Sequence, residues 1–316
     1  MCGSVGSTFA AAASAQTAGY PDKPIRWIVP FPAGGAADLI SRPLGQKLTE
    51  RWGQQIVIDN RPGAGSNLGI EIAAKAAPTG YTVIVVPATF TATPSLYPKL
   101  AYDPVKDFAP ITLISSSPLV LIVPPSVPSK SLGELVALAK VRPGELNYAS
   151  SGIGASAHLA AELLKSLANI DVAHIVYRGQ PPAILDMLSG RVQMMFANVP
   201  VALPQITAGK LRGLAVTTLQ RSAQLPNLPT VDESGFPRFE VNQWTGLVAP
   251  AGTPKAIIMK LHDGVVAALQ SPEVRTNLMN QGFQPAGGSP GEFAAYIQSE
   301  IRKWSKLIKE RGIRAE

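Results

Sequence analysis

Cysteine and histidine are scarce in this chain of 316 residues. The sequence contains one cysteine, Cys2, and three scattered histidines. A single cysteine cannot form a disulfide within the chain, and the histidines lack the spacing of a Cys/His metal site. The sequence therefore predicts no intrachain disulfide, no metal site and no cofactor.

Long apolar runs and dense charge are also missing. Apolar residues make up 46% of the chain and charged residues only 16%, which leaves ample material for buried cores. After residue 20, no stretch continues for the roughly 18 apolar residues that indicate a membrane-spanning helix. The sequence therefore predicts no membrane span beyond that point.

The net charge is +7, and a basic balance can indicate nucleic acid, an anionic surface or an anionic ligand. Lys and Arg cluster only near the end of the chain, on an amphipathic helical pattern. No zinc-finger, RNP-type or helix-turn-helix signature accompanies the cluster. We interpret it as a solvated helix face and predict no nucleic-acid partner.

The first 19 residues have the pattern of an incomplete export signal. Residues 9–15 are small and apolar, and Ala13-Ser14-Ala15 matches an A-x-A-like cleavage site. The usual basic start is absent, because the first lysine is Lys23. We expect an exported, periplasmic protein; the alternative is a disordered tail on a cytoplasmic one.

Short apolar runs alternate with helical patterns, which predicts an α/β fold. The predicted strands are 25–30, 55–60, 82–87, 111–114, 119–123, 147–150, 172–177, 192–196, 214–217 and 243–249. The predicted helices are 37–52, 68–76, 132–141, 158–167, 182–188, 255–270 and 290–311. The β-α-β-α-β order occurs twice, so we predict two α/β lobes flanking a ligand cleft. Residues 20–117 would begin lobe 1, 118–243 would form lobe 2, and 244–316 would return to lobe 1.

Two loops join a predicted strand to a predicted helix and are suited to an anion. We name residues 31–38 loop L1 and residues 150–156 loop L2. Their glycines allow a ligand to approach the backbone, and the free N–H groups and dipole of the following helix favour negative charge. The candidate ligand-binding residues in these loops are Phe31, Ala33, Gly34, Gly35, Ala36, Ala37, Asp38, Ser150, Ser151, Gly152, Ile153, Gly154, Ala155 and Ser156. Asp38 can also cap its helix.

Loop L2 supports a rival interpretation, a Rossmann-like NAD-binding oxidoreductase. Residues 152–157 match G-x-G-x-x-A, and Asp171 lies about 20 residues further on, as that fingerprint requires. Asp171 precedes the next strand, however, whereas the ribose-binding acid belongs near the end of that strand. We therefore favour ligand binding without a dinucleotide.

Further candidates follow two later strands. Ala197 and Asn198 end one strand, where Asn198 either donates to a carboxylate or closes a turn, and Arg178 follows another. The sequence contains no G-x-S-x-G elbow, no H-E-x-x-H and no P-loop. Ser151 and His158 leave a hydrolase as a minor alternative, and we predict that the chain is not an enzyme.

Several segments together resemble the Bug (Bordetella uptake gene) or TctC-like family, the receptors of tripartite tricarboxylate transporters. In chain order they are 20–26 (Tyr-Pro-Asp-Lys-Pro-Ile-Arg), 29–35 (Val-Pro-Phe-Pro-Ala-Gly-Gly) with Asp38, 57–65, 78–82, 148–152, 209–212 and 248–254. The resemblance implies a type II periplasmic-binding fold, no catalysis and a small carboxylate ligand held by L1 and L2. It also implies the large and small membrane subunits of such a transporter as partners. We expect a monomer; a sensory ligand-binding module is a further alternative.

The chain departs from the family pattern where family members often carry polar residues. Ala36 and Ala37 replace Gly-Thr, Ile153 and Ala155 replace Asn and Thr, and Ala197 replaces Asp. A ligand with many hydroxyls would leave those groups buried and unpaired here. Without an acid at 197, an ammonium group also loses a partner. The substitutions therefore predict a relatively apolar or aromatic mono- or dicarboxylate rather than citrate or an acidic amino acid.

Overall fold

A computed structural model describes residues 19–315 of the chain. The apolar segment 9–15 and its cleavage-like site lie outside the described residues. Within residues 19–315, every helix is too short or too polar to cross a membrane.

Strands and helices alternate along most of the chain. The strands are β1 (Ile25–Val29), β2 (Ile56–Asn60), β3 (Thr82–Pro87), β4 (Phe108–Val123), β5 (Asn147–Ser150), β6 (Ala173–Val176), β7 (Met194–Asn198), β8 (Arg212–Val216), β9 (Asn242–Pro250) and β10 (Gln284–Pro285). The helices are α1 (Ala36–Trp52), α2 (Asn67–Ala74), α3 (Thr93–Leu96), α4 (Leu132–Val141), α5 (Ser156–Ala168), α6 (Gln180–Leu188), α7 (Val199–Thr207), α8 (Lys255–Gln270), α9 (Pro272–Asn280) and α10 (Pro290–Arg311). Short 3-10 turns occupy Ala64–Ser66 and Ala88–Thr91.

All the strands join in one mixed sheet, whose main path is β2-β1-β3-β9-β4-β7-β5-β6. The pairs β1–β2, β1–β3, β5–β6 and β5–β7 are parallel, whereas β9 runs antiparallel to both β3 and β4. Loops at the carboxyl ends of parallel strands form the usual ligand crevice of such sheets. L1 follows β1 and L2 follows β5, so each loop lies at such an end.

The prediction of two separate strands at 111–114 and 119–123 was wrong. β4 is continuous, because the serine run pairs with β9 rather than forming a turn: Ser115 lies opposite Thr245 and Ser117 opposite Gln243. A serine forms the same main-chain hydrogen bonds between strands as an apolar residue does, so the polar run does not interrupt the strand. From Leu119 onward, β4 changes partners and pairs with β7 and β8.

Two helices that the sequence analysis did not predict lie late in the chain. α7 begins directly after Asn198 and contains Pro200 and Pro204. α9 begins with Pro272. Proline is favourable in the first turn of a helix, because the N–H that it lacks would be unpaired there in any case.

The buried apolar residues form clusters on both sides of Leu119, the residue from which β4 pairs with β7 and β8. One cluster joins β1, β3, α1 and α8, and another joins β5, β7 and α5. The long helix α10 packs Phe293 and Ile297 beside Trp244 in a cluster with β3 and β9, and Trp304 and Leu307 in the cluster with α5. The lobe boundaries after residues 117 and 243 stay predictions.

Candidate functional site

A cavity of about 420 Å³ opens beside L2. It is within the size range of small-molecule sites. Of the candidates from the sequence, the structure brings together Phe31, Ser151, Gly152, Ile153, Gly154, Ala155, Ser156 and Asn198 as lining residues. The other lining residues are Gly65, Pro87, Ala88, Thr89, Thr93, Leu96, Tyr97, Ala157, Gln180 and Gln243. Among these described residues the lining contains no charged side chain.

The remaining candidates do not line the cavity in this structure. Ala33, Gly34 and Ala36 are exposed at the tip of L1, and Gly35 is half-buried beside them. Ala37 and Asp38 are buried in the first turn of α1, and Ser150 and Ala197 are buried at strand ends. Arg178 is exposed in the segment between β6 and α6. Their ligand-binding role stays a prediction.

L2 is folded by hydrogen bonds within its own backbone and to two histidines. Gly154 N–H donates to Nδ1 of His158 at 2.9 Å, and Ala155 N–H donates to Gly152 O at 3.2 Å. Ser150 Oγ lies 2.7 Å from His174 Nε2. Gly154 has φ +76°, and a Cβ there would lie 2.2 Å from Leu96 Cδ1. Only glycine meets both requirements at this position.

L1 has a related backbone but an ionic anchor. Asp38 does not form the predicted cap at the N-cap position; its carboxylate instead accepts Gly34 N–H at 2.8 Å and Asn60 Nδ2–H at 3.0 Å. Arg42 donates to the same carboxylate with two nitrogens, at 2.8 and 2.9 Å. Burial opposes ionisation of Asp38, but these hydrogen bonds keep its pKa below the ordinary value. Asp38 is therefore ionised, and both of its carboxylate oxygens already accept hydrogen bonds from neighbouring residues.

A buried polar network lies behind L2. The carboxylate of Glu162 accepts bonds from Tyr148 Oη at 2.7 Å, Lys165 Nζ at 2.7 Å and Arg311 Nε at 2.9 Å. The ring of His174 stacks on Tyr148, with centroids 4.5 Å apart, and on His158, with centroids 4.3 Å apart. The network connects β5, β6, α5 and the end of α10 to the base of the loop.

The two histidines in this network are held neutral. Burial, together with the neighbouring His174, lowers the pKa of His158 to about 4. Burial also lowers the pKa of His174 below its ordinary value. Glu162 remains ionised, because its hydrogen bonds with Lys165, Tyr148 and Arg311 lower its pKa despite its burial.

Three carboxamides line the same cavity as L2. Gln180 is the first residue of α6, and its Oε1 accepts Asn198 N–H at 3.1 Å. Asn198 Oδ1 is buried and has no hydrogen-bond partner among residues 19–315. Gln243 lies on β9 beside the point where β4 changes partners. These groups provide neutral hydrogen-bond donors and acceptors for a ligand in the cavity.

Gln180, Gln243 and the segment after β3 line the cavity although the sequence pattern did not indicate them as candidates. Gln180 follows a strand and begins a helix, as the ends of L1 and L2 do. Thr89, Thr93 and Tyr97 follow β3, which pairs in parallel with β1. Because β1 and β3 are parallel, the segments that follow them meet at the same edge of the sheet, and this could have predicted that Thr89, Thr93 and Tyr97 lie near L1.

The structure also bears on the dinucleotide interpretation. Asp171 lies before β6, and its backbone oxygen accepts Gly144 N–H at 3.1 Å. It thus lies at the opposite end of the strand from a ribose-binding acid.

The fold and this uncharged, loop-lined cavity define a solute-binding protein of the periplasmic-receptor type. The profile of the tripartite tricarboxylate transporter family receptor, TctC, matches residues 40–313. The chain therefore belongs to the TctC family, whose members are periplasmic solute-binding receptors and not enzymes. The resemblance to Bug and TctC proteins, the type II periplasmic-binding fold and the expectation of a non-enzyme are confirmed.

Individual relatives agree along nearly their whole length. The chain is 37% identical to Protein BugT of Bordetella pertussis over 305 residues, which cover 96% of this chain and 93% of that protein. The solved structure of R. palustris Rpa4515 with adipate has 37% identity and a TM-score of 0.79, covering 93% of this chain and 99% of that one. MatC from Rhodopseudomonas palustris, solved with bound malate, has 33% identity and a TM-score of 0.76, and the match covers 92% of this chain and 100% of that one.

Proposed function

We propose that this receptor captures a relatively apolar or aromatic mono- or dicarboxylate by closure of its lobes. It then delivers the ligand to the large and small membrane subunits of a tripartite tricarboxylate-type transporter. The receptor would work as an exported, periplasmic monomer. The observation that carries the ligand class is the lining of the cavity, which combines a helix N-terminus with apolar and neutral polar side chains.

The N-terminal end of α5 is suited to one carboxylate of the ligand. The first N–H groups of a helix have no acceptor within the helix, and its dipole favours an anion. The hydroxyls of Ser151 and Ser156 lie on the same wall of the cavity. One carboxylate can therefore be bound without a basic side chain, as at other helix N-termini.

The rest of the cavity disfavours strongly polar ligands. Leu96, Ile153 and Ala155 line the same space and provide no hydrogen-bonding side chain. An ammonium group would find no carboxylate among the lining residues, so its desolvation would be uncompensated. The proteins solved with adipate and malate support a dicarboxylate, and of these two acids adipate has the longer apolar section.

Isothermal calorimetry with adipate, benzoate, malate, citrate and glutamate tests the proposal. We expect adipate or benzoate to bind most tightly, and the bound protein to unfold at a higher temperature. At a hundredfold excess over Kd, the stabilisation should reach about 2.7 kcal/mol. Tight binding of citrate with no response to the aliphatic and aromatic acids would contradict the apolar ligand class.

A matched pair of substitutions tests whether this cavity is the site. Ile153→Asp places a negative charge on its wall and should abolish carboxylate binding. Leu185→Asp introduces the same charge at a 67% exposed position on α6 that does not line the cavity, and should leave binding unchanged. Equal affinity in the two variants would place the ligand elsewhere.

Delivery requires a separate measurement. Cells that carry the two membrane subunits should accumulate the radiolabelled acid only when this receptor is present. Ile153→Asp should abolish that uptake, whereas Leu185→Asp should support it. Uptake that is independent of the receptor would contradict the transport role.

A further inference from the structure

L1 and L2 end in the same hydrogen-bonded turn. In each loop a glycine with positive φ, Gly34 at +79° and Gly154 at +76°, stands two residues before its helix begins. In each, the N–H of that glycine donates to the side chain four residues later, Asp38 or His158. The side chain in the third helical position thus fixes the shape of both turns.

The two acceptors differ in charge. Asp38 is an ionised carboxylate, so the first turn of α1 already contains a negative charge, which Arg42 partly offsets. His158 accepts through Nδ1, and a nitrogen that accepts a hydrogen bond carries no proton. The first turn of α5 is therefore held in shape by a neutral group.

The surroundings of His158 maintain that neutral form. His174 of β6 and Tyr148 of β5 stack near the ring, Lys165 and Glu162 lie on its own helix, and Arg311 approaches from α10. Glu162 is the one anion among these groups and already binds both cations, so a proton on His158 would gain little from it. Burial acts in the same direction and lowers the pKa of the imidazole to about 4.

We propose that His158 is a positioning residue: it fixes L2 with an uncharged hydrogen bond and so leaves the positive end of α5 available to the ligand carboxylate. This inference rests on the proposed function, namely that L2 holds the carboxylate. Apart from the helix terminus, the cavity that L2 lines contains Asn198 Oδ1, a buried acceptor without a partner among the described residues. That atom points to a bound molecule with a hydrogen-bond donor, and the carboxylate itself would be held by the N–H groups of α5.

A pair of substitutions at this one position separates shape from charge. In His158→Asn a neutral amide oxygen can still accept Gly154 N–H, whereas in His158→Asp a charged acceptor of the same size does so, as Asp38 does in L1. We expect His158→Asn to keep affinity within about threefold and His158→Asp to lose at least about tenfold, since a charge at a helix end contributes up to about 2 kcal/mol. The ligand is whichever of adipate, benzoate, malate, citrate and glutamate the unsubstituted protein binds most tightly.

The pH profile supplies a readout that does not depend on the Asp variant folding. As the pH falls towards 4, the affinity of the unsubstituted protein should decrease more steeply than that of His158→Asn. Protonation of Nδ1 removes the acceptor of Gly154 N–H and so disturbs the shape of L2, and only the unsubstituted protein can gain this proton. Comparison of the two proteins with the same acid removes the titration of the ligand itself.

The outcomes distinguish this inference from the proposed function. Binding in the unsubstituted protein with equal affinity in His158→Asp overturns the positioning role. Equal loss in both variants, with identical pH profiles, also overturns it, because the ring itself and not its neutral acceptor would then matter. If the unsubstituted protein binds none of the five acids, the proposed function fails and the inference fails with it.

Discussion

At the start of α1 the carboxylate of Asp38 accepts the N–H of Gly34, whereas at the start of α5 the imidazole of His158 accepts the N–H of Gly154. Asp38 is stabilised by Arg42, whose side chain is 53% exposed. His158 stacks on His174 and lies near Tyr148, which bonds Glu162; the side chains of Glu162 and its partner Lys165 are 7% and 10% exposed. The same turn is therefore held by a buried carboxylate with a half-exposed cation in L1, and it lies against a buried polar network in L2.

We infer from this difference that the same backbone turn serves two purposes. A carboxylate at a helix N-terminus interacts favourably with the dipole and stabilises its own helix. A neutral acceptor forgoes that interaction, so the terminus stays available for an external anion. We infer that L1 is stabilised chiefly by its own charge, whereas L2 depends on the structure beneath it. The predictions below test this contrast, beginning with the largest effect.

The buried network under L2 should be the most sensitive part of the comparison. In Glu162→Gln the cations of Lys165 and Arg311 lose their shared carboxylate, and breaking a buried pair costs about 3–5 kcal/mol. We expect a loss near the lower end, about 3 kcal/mol, because Arg311 is partly exposed. Urea unfolding measures this loss. Tyr148→Phe removes one neutral donor to Glu162 and should cost only about 1 kcal/mol; equal losses in the two variants would contradict an ionic role.

Acid should weaken the L2 side of the protein before the L1 side. The pKa of His158 is lowered from 6.5 to about 4, so between these values the unfolded chain binds a proton that the folded protein does not. Stability is complete above pH 6.5 and falls as the pH decreases towards 4, by up to about 3 kcal/mol from His158. The pKa of His174 is also lowered and adds a loss of the same sign.

Carboxylates contribute in a different pH window. The pKa values of Asp38 and Glu162 lie below their ordinary values of 3.8 and 4.5, so their stabilisation is lost only as the pH falls below those values. Urea unfolding across pH 4.5–7 therefore reports chiefly on the histidines. His158→Asn should flatten the curve in this range, and an unchanged slope would refute the buried neutral histidine.

Glycine-to-alanine substitutions at matched positions should separate the two turns next. Gly34→Ala has a strained φ but no atom within 4 Å of the new Cβ, so it should cost about 1–2 kcal/mol. Gly154→Ala has the same strain and also places its Cβ 2.2 Å from Cδ1 of the buried Leu96; because only the far end of that side chain must move, the clash adds about 1 kcal/mol. Thermal unfolding compares the two, and calorimetry should show weaker binding in Gly154→Ala. Equal losses in the two variants would indicate that Leu96 yields freely.

The local sequence pattern located loops L1 and L2, but it did not predict the residues from distant segments that also line the cavity. In L1 and in L2 a strand, glycines and a helix follow one another within about ten residues, so a continuous segment of sequence was enough to locate each loop. Leu96, Gln180 and Gln243 come together only through the sheet order, which places β9 between β3 and β4. Ser115–Ser117 show the converse problem: a polar run typical of a turn lies within a strand because β9 pairs with it. The shared role of Asp38 and His158 could not be predicted either. Each accepts the N–H of the glycine four residues earlier, but one is a carboxylate and the other an imidazole.

The smallest effect should come from the exposed cation of L1. Arg42→Ala removes the partner of Asp38, whose carboxylate keeps its bonds from Gly34 and Asn60, so the loss of stability should not exceed about 1 kcal/mol. In the closed receptor that we propose, the unbalanced charge of Asp38 should also weaken carboxylate binding by about two- to threefold, and added salt should reduce the difference. Arg51→Ala, at the other end of α1, is the matched control and should bind as the unsubstituted protein does. A loss in Arg42→Ala as large as that in Glu162→Gln would refute the contrast, because L1 would then depend on its ionic support as strongly as L2 does.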